Sequence, residues 1–316
     1  MTNKICNQLN INYPIIQGGM GNISNAELAA AVSEAGGLGT IGCGTMEPSE
    51  VEKIITETKK RTKKPFAVNI AINVTPYTDA LIKTVIEHEV PVVSLSAGNP
   101  ALYIPILQEK GIKVLTIVAA VKHAEKAEAA GADAVVAEGF EAAGINSNLE
   151  LTTMTLIPQI VDQVNIPVIA AGGIGDGRGL AAALMLGASG VQMGTRFIAT
   201  KEAPFHENYK SKILNATDTT TKIIGRTVGQ TRRVLENEYA EKIARLEEKG
   251  ITTEEFSTLT TEVQHIKGAI DGDFSEGFIN GGQISGLINT IPTVKELLEE
   301  MMKVARAQLK QRQGLI

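Results

Sequence analysis

The feature that most constrains the fold is a regular alternation, over residues 13–194, of short apolar β-rich runs with segments of helical periodicity. NAELAAAVSEAG (25–36) and PSEVEKIITETKKR (48–61) are typical of the helical segments. Strands that alternate with helices of this length pair in parallel through right-handed crossovers. Eight strand-like runs occur, at 13–17, 38–42, 65–70, 91–96, 113–118, 134–139, 167–172 and 190–194.

The number of these units selects the architecture. Eight β/α units close a (β/α)₈ barrel, the TIM barrel. An open doubly wound sheet is the alternative, and that fold carries a GxGxxG motif at its first helix. Here glycines follow many of the strands, and no single GxGxxG opens the first helix. We therefore predict an α/β protein built on a (β/α)₈ TIM barrel.

The alternation stops at about residue 201. Residues 201–280 are more polar and show helical stretches without intervening buried strands, which predicts a smaller, mainly helical domain after strand eight. The segment 293–312 is an amphipathic helix that we expect to pack on the barrel as the last helix of the ring. The predicted domains are residues 1–200 together with 281–316, and residues 201–280.

The composition of the chain limits the kinds of partner that it can bind. The net charge of −5 disfavours general nucleic-acid binding, which requires a basic face. No apolar run approaches the ~18 residues of a membrane helix, and the N-terminus lacks a signal-peptide pattern. Cys6 and Cys43 have no CxxC spacing and read as reduced thiols, and no spacing of ligand residues suggests a metal site. We expect a cytoplasmic protein that binds neither nucleic acid nor a membrane.

Glycine-rich turns follow the seventh and eighth strands, in AAGGIGDGRG (170–179) and GVQMGTRF (190–197). Ligands of these barrels bind at the C-terminal ends of the strands, and phosphates favour the loops after strands seven and eight. Glycine allows a phosphate to approach the backbone closely, and ordinary strand-to-helix turns are the alternative. Two adjacent glycine turns favour the phosphate. The free N–H groups would come from Gly172, Gly173, Met193, Gly194 and Thr195.

Three more strand ends carry groups that suit a flat, partly apolar ring with polar edges. QGGM (17–20) ends strand one, and Asn69, whose amide can donate and accept hydrogen bonds, ends strand three. Glu138 and Glu141 follow strand six. Core packing of Met20 and turn capping by Asn69 are the alternative interpretations.

Together these motifs resemble a known superfamily, the FMN-dependent enoyl-acyl carrier protein reductases II and nitronate monooxygenases. The similarity runs in register from about residue 5 to 215, through YPIIQGGM, AGGLGTIG, KPFAVNI, AEGFEA, IPVIAAGGIGDGRG and VQMGTRF, and LTTMTL, AGNP and HENYK favour the reductase branch. The resemblance implies a barrel that binds FMN, with NADH or NADPH as the reductant. The residues that it implies contact the FMN are Gly18, Gly19, Met20, Asn69, Glu138, Ala143, Gly172, Gly173, Gln192, Met193, Gly194 and Thr195.

The loop after strand six departs from the family pattern. The family loop reads E-A-G-G-H, with the histidine proposed as catalytic, whereas this chain reads EAAGINSN (141–148). Ile145 stands in place of the histidine, and Ala143 replaces a glycine. Isoleucine cannot transfer a proton, so the catalytic residues are left unassigned. Among the histidines, His206 is the one candidate replacement, with a surface role as its alternative, whereas His265 has no partner motif.

The resemblance predicts an oxidoreductase that reduces an enoyl thioester with NAD(P)H through FMN, in fatty acid biosynthesis. Two alternatives stay open: a nitronate monooxygenase that oxidises alkyl nitronates with O₂, and a flavin-binding protein with little turnover, because Ile145 replaces the histidine. We expect a homodimer whose substrate is a small molecule or is carried by acyl carrier protein.

A cluster of basic residues suggests where a carrier protein would dock. Residues 201–233 contain seven Lys and Arg against three carboxylates. We expect Arg232 and Arg233 to belong to a docking face for an acidic acyl carrier protein, because such contacts steer association. A solvated surface of mixed charge is the alternative.

Overall fold

The computed structural model of the protein describes residues 3–312. Its strands are β1 (Ile15–Gln17), β2 (Gly39–Gly42), β3 (Phe66–Ala71), β4 (Val92–Ser96), β5 (Lys113–Val118), β6 (Ala134–Glu138), β7 (Gly144–Ile145), β8 (Val168–Ala171), β9 (Gly190–Met193), β10 (Thr221–Ile224) and β11 (Arg232–Leu235). Its α-helices are α1 (Lys4–Leu9), α2 (Ala26–Glu34), α3 (Pro48–Arg61), α4 (Thr78–Glu87), α5 (Tyr103–Gln108), α6 (Val121–Ala129), α7 (Thr153–Val161), α8 (Gly177–Met185), α9 (Thr195–Ile198), α10 (Glu207–Leu214), α11 (Glu238–Glu248), α12 (Thr253–Leu259), α13 (Glu262–Ala269) and α14 (Val294–Arg312).

Eight parallel strands form the barrel, in the order β1-β9-β8-β6-β5-β4-β3-β2. A parallel bridge between Ile16 and Leu38 joins β1 to the start of β2 and closes the ring. The Gln17 N–H donates to the Leu38 carbonyl at 2.9 Å across the same junction. The strands are mostly buried runs of Val, Ile and Ala, as a parallel sheet covered by helices requires. The predicted (β/α)₈ TIM barrel and its eight strands are confirmed.

Apolar side chains fill the N-terminal end of the barrel. Helix α1 contributes Ile5 and Leu9 to a buried cluster with residues of β1, β3, β4, β5, β6 and β8. Helix α14 packs against α8 and α2, which confirms it as the last helix of the ring. The apolar cluster closes the N-terminal end of the barrel. The polar groups lie at the opposite end, at the C-terminal ends of the strands. None of the helices within residues 3–312 is long and apolar enough to cross a membrane.

The segment after β9 is mainly helical, as predicted, but the expectation that it lacks buried strands is wrong. Strands β10 and β11 pair antiparallel, and β11 also pairs with β7, in the loop after β6. β10 and β11 are each four residues long, and β11 reads RRVL, so their sequences lack the apolar alternation that indicates a buried strand. The small sheet therefore fastens the segment to the barrel.

The predicted division at residues 200 and 280 stays a proposal. The appended segment has its own apolar cluster, which includes Val234, Phe256 and Phe278. Its first helix, α10, instead places Tyr209 and Ile213 in the main core of the barrel. We therefore propose that the independent part of the segment begins after α10.

Candidate active site

A cavity of about 790 Å³ lies at the C-terminal end of the barrel. Each site residue that the sequence predicts lies in its wall, so the structure brings together groups that are up to 177 positions apart, from Gly18 to Thr195. These lining residues are Gly18, Gly19, Met20, Asn69, Glu138, Ala143, Gly172, Gly173, Gln192, Met193, Gly194 and Thr195.

One side of the cavity is made of free backbone N–H groups. Gly172 and Gly173 have left-handed φ values of 94° and 72°, and a Cβ on Gly172 would lie 2.7 Å from the Gly139 carbonyl oxygen. Within the described residues, no acceptor takes up the N–H groups of Gly172, Gly173 or Gly194. A Cβ on Gly194 would meet no protein atom within 4 Å. Adjacent turns with free N–H groups can hold an anion such as a phosphate.

The ends of β1 and β3 form a second, closely packed part of the wall. A Cβ on Gly19 would lie 2.8 Å from the Cβ of Asn69, so a side chain there would displace Asn69. Asn69 Nδ2 donates to the Ser94 carbonyl and to Ser96 Oγ, both at 3.2 Å. Asn69 is thus a strand residue whose amide is fixed across β4, and the turn-cap interpretation is wrong. Met20 both packs on the core and lines the cavity.

Four other predicted residues connect these two parts of the wall. The Met193 carbonyl accepts from the Gly18 N–H at 2.9 Å, and Gln192 Nε2 lies beside Gly18. Thr195 Oγ1 accepts from the Gly282 N–H at 3.0 Å. Ala143 lines the cavity in the loop after β6. The contacts of Met193 and Gln192 hold the turn after β9 against the end of β1.

Glu138 and Glu141 have different environments although both follow β6. No described residue hydrogen-bonds to the Glu138 carboxyl group, and burial raises its pKa to about 7. Glu138 can therefore either donate or accept a hydrogen bond at neutral pH. The Glu141 carboxylate accepts from the Thr153 N–H at 3.0 Å at the start of α7. Glu141 organises the loop, whereas Glu138 is available to a ligand.

The appended segment contributes a wall that the sequence did not predict. This wall contains Arg232 of β11, Glu262 and His265 of α13, and Asn280. His265 Nδ1 lies 3.4 Å from Glu262 Oε2, and its Nε2 lies 3.1 Å from Asn280 Nδ2. His265, for which the sequence shows no partner motif, therefore has two side-chain partners in the fold. The four residues come from three separate parts of the chain and share no motif, so only the fold shows their proximity.

The predicted docking face for a carrier protein is also wrong. Arg232 is 9% exposed and Arg233 is 4% exposed, because β11 is covered by its neighbours. The Arg233 guanidinium donates twice to the Phe140 carbonyl, at 3.1 and 2.9 Å, and holds the loop after β6. Lys210 is buried, and Arg226 pairs with Glu150. A count of charges along the chain could not distinguish inward from outward side chains.

Ile145, which stands where the family has its histidine, lines the cavity and is 54% exposed. It pairs with Arg232 in the register between β7 and β11. His206, the candidate replacement in the sequence, accepts from the Asn208 N–H at 3.1 Å and caps α10. His206 does not line the cavity, whereas His265 does.

The barrel and its site define a class of protein: a (β/α)₈ enzyme whose anion-binding turns and mixed polar and apolar cavity suit a phosphorylated ligand with a planar ring. The comparisons identify the family within that class. Residues 3–303 match the family model described as nitronate monooxygenase, and the chain belongs to that family. It is therefore an oxidoreductase.

Three relatives show how far the similarity extends. A probable nitronate monooxygenase of Staphylococcus saprophyticus is 38% identical over 77% of this chain and 81% of that protein. A (3aS,4S,5R,7aS)-5-hydroxy-7a-methyl-1-oxo-octahydro-1H-indene-4-carboxyl-CoA dehydrogenase of Mycobacterium tuberculosis is 33% identical over 98% of this chain and 97% of that one. The solved structure of FabK from Thermotoga maritima is 43% identical, covers 100% of both chains and has a TM-score of 0.93.

Proposed function

We propose that the protein is an FMN-dependent reductase that uses NADH or NADPH to reduce an enoyl thioester. The observation that carries this proposal is the similarity to FabK, an enoyl-acyl carrier protein reductase II, over all of both chains at 43% identity. The Staphylococcus saprophyticus nitronate monooxygenase matches 77% of this chain. The Mycobacterium tuberculosis relative, which matches 98% of the chain, is named for an acyl-CoA thioester. The names of these two relatives, each of which matches nearly the whole chain, favour thioester chemistry.

The lining of the cavity fits FMN. The free N–H groups of Gly172, Gly173 and Gly194 suit its phosphate, because they come from adjacent turns and lack acceptors within the described residues. When bound, FMN supplies the hydride chemistry. The residues that we propose hold it are Gly18, Gly19, Met20, Asn69, Glu138, Ala143, Gly172, Gly173, Gln192, Met193, Gly194 and Thr195.

The side chains of this chain bind and orient the reactants. The fixed amide of Asn69 and the carboxyl group of Glu138 can hydrogen-bond the polar edge of a planar ring, and Met20 offers it an apolar surface. Ile145 supplies no acid–base group at the position where the family has one. The proton that completes the product must come from water or from another residue. We propose that acyl carrier protein or a small molecule carries the substrate, and the homodimer and the cytoplasmic location stay predictions.

Two measurements test the proposal. Chromatography of the cofactor that heat releases should show FMN rather than FAD, since the cavity offers one glycine-lined phosphate site. NAD(P)H oxidation should then accelerate with a crotonyl thioester more than with a quinone or an alkyl nitronate. A colourless protein that FMN fails to colour would contradict the cofactor assignment, and nitronate-dependent O₂ consumption without thioester reduction would favour the monooxygenase.

A further inference from the structure

We propose that Arg232 binds the oxygen atom of the substrate that becomes negatively charged during the reaction, and that Phe278, Glu262 and His265 hold its guanidinium in place. The inference rests on the proposed function for the identity of that oxygen, which is the thioester oxygen of an enoyl substrate.

The charge of Arg232 is buried without a hydrogen-bonded or ion-paired partner among the described residues. Arg232 is 9% exposed, lies in β11 between β10 and β7, and lines the cavity. Its guanidinium makes no hydrogen bond and no ion pair with any other residue in the range 3–312. Burial lowers the pKa of Arg232, and the more distant charge of Glu262 opposes that effect. A buried guanidinium that lacks hydrogen-bonded partners is costly, so its N–H groups are available to an anionic ligand.

The surrounding side chains fix the guanidinium, and no described residue hydrogen-bonds to it. Arg232 Cζ lies 4.9 Å from the centre of the Phe278 ring, and the His265 ring stacks on Phe278 with centroids 5.4 Å apart. Glu262 is itself held by the Asn22 N–H at 3.2 Å and by His265. Burial pushes the pKa of Glu262 up, but His265, Arg232 and the Asn22 N–H outweigh it and keep the pKa below its usual value. The cation thus has a rigid support, as a binding group requires.

The same wall contains a second polar atom without a partner among the described residues. Asn280 Oδ1 is buried and accepts no hydrogen bond within the described part of the chain. Its Nδ2 is engaged by His265 Nε2, at 3.1 Å, so the orientation of the amide is set by the same histidine. Two polar groups with unused hydrogen-bonding capacity, Arg232 and Asn280, therefore line one side of the cavity. Arg232 can donate to a charged oxygen of the substrate, whereas Asn280 Oδ1 is an acceptor and would be satisfied by an N–H or O–H group of the same molecule.

The position of this wall relative to the proposed FMN ring supports a role at the reacting group. Glu262 contacts Asn22, two residues beyond Met20, at the end of β1. Arg232 is paired with Ile145, in the loop after β6. The wall that contains Arg232 and Glu262 therefore contacts both the turn after β1 and the loop after β6.

The chemistry explains why a cation is useful there. Hydride addition to the β carbon of an enoyl thioester moves the π electrons towards the α carbon and the thioester oxygen, which gives an enolate. A proton from water then bonds to the α carbon, and the nicotinamide is left oxidised. Negative charge grows on the thioester oxygen in the transition state, and a preorganised donor there lowers the barrier. The loss of one such donor typically reduces kcat by ~10²–10³-fold.

The kinetic test separates the two half-reactions of the holoenzyme. We expect Arg232→Met to leave flavin reduction by NADH unchanged and to slow flavin reoxidation by a crotonyl thioester by ~10²–10³-fold. Arg232→Lys should recover part of the rate, because the charge remains while the fork of donors is lost. Arg226→Met, which removes a cation exposed beside the same sheet, is the matched control and should behave as wild type.

A binding measurement tests the same idea without turnover. The probe is the N-acetylcysteamine thioester of acetoacetate, whose enolate carries a charged oxygen, and its Kd is measured by calorimetry. Arg232→Met should raise the Kd at least about 10-fold, and Arg226→Met should leave it unchanged. Circular dichroism checks the fold, and Arg232→Gln replaces Arg232→Met if the latter does not fold.

The outcomes distinguish this inference from the proposed function. An unchanged Kd for the probe, or equal slowing of both half-reactions with a lowered Tm, would assign Arg232 a structural role and overturn the inference. A wild-type enzyme that no enoyl thioester reoxidises would contradict the proposed function instead. In that case the Kd comparison still decides whether Arg232 binds an anionic oxygen.

Discussion

Replacement of Glu138 by Gln should stabilise the flavin-free protein at alkaline pH. Burial raises the pKa of this carboxyl group from its ordinary 4.5 to about 7. At about 1.4 kcal/mol per pKa unit, ionisation of Glu138 costs the folded state up to about 3 kcal/mol. Because the pKa of Glu138 is raised in the folded state, its neutral carboxyl group makes its full contribution to stability below about pH 4.5. That contribution is lost as the pH rises through 7. Between pH 5.5 and 8 the wild type should lose about 2 kcal/mol from this group.

The assay is urea unfolding of flavin-free protein at pH 5.5 and pH 8. Glu138→Gln should remove about 2 kcal/mol of the pH dependence and give a higher free energy of unfolding than wild type at pH 8. Glu141→Gln is the matched control, and it should destabilise the protein by about 1–2 kcal/mol because Glu141 accepts hydrogen bonds from Thr153. If wild type and Glu138→Gln show parallel pH profiles, Glu138 is not desolvated and the argument fails.

Three further variants test the site. Gly194→Val should fold normally but lose FMN, since its side chain would enter space that no protein atom occupies; full flavin occupancy on chromatography would refute this. Ile145→His should raise enoyl reduction, by up to ~10²–10⁴-fold in a steady-state assay, and an unchanged rate would mean that the loop serves another substrate. Arg233→Met should lower stability to urea by about 2 kcal/mol, because it leaves the Phe140 carbonyl unpaired, and a wild-type midpoint would contradict this.

The barrel and the glycine turns could be predicted because their signals are local. Each β/α unit carries its own apolar run and helical period, and parallel pairing with right-handed crossovers leaves few ways to connect eight of them. The turns after β8 and β9 are visible as glycines that follow buried strands. The positive φ values of Gly172 and Gly173 after β8, and the free N–H groups of both turns, agree with that pattern. The close packing of Gly19 against Asn69 is visible only in the folded structure, although the sequence predicts both residues at strand ends.

The wall from the appended segment could not be predicted because it depends on pairing between distant parts of the chain. β11 reads RRVL, and basic side chains usually indicate a surface. Both arginines are buried by contacts with distant parts of the chain. Arg232 packs on the ring of Phe278, 46 positions away, and Arg233 donates to the Phe140 carbonyl, 93 positions away. His265 has one partner, Glu262, in its own helix, but it meets Asn280 only in the folded chain. No motif links these positions.

The central claim is that the cavity holds FMN and delivers hydride to an enoyl thioester, and anaerobic reoxidation of the reduced protein tests it most directly. The protein is reduced with one equivalent of NADH and mixed with a crotonyl thioester, and the flavin absorbance is followed while the product is identified by mass spectrometry. We predict full return of the oxidised flavin spectrum with one equivalent of butyryl thioester. A flavin that stays reduced with the thioester and is reoxidised only when O₂ is admitted would contradict the account.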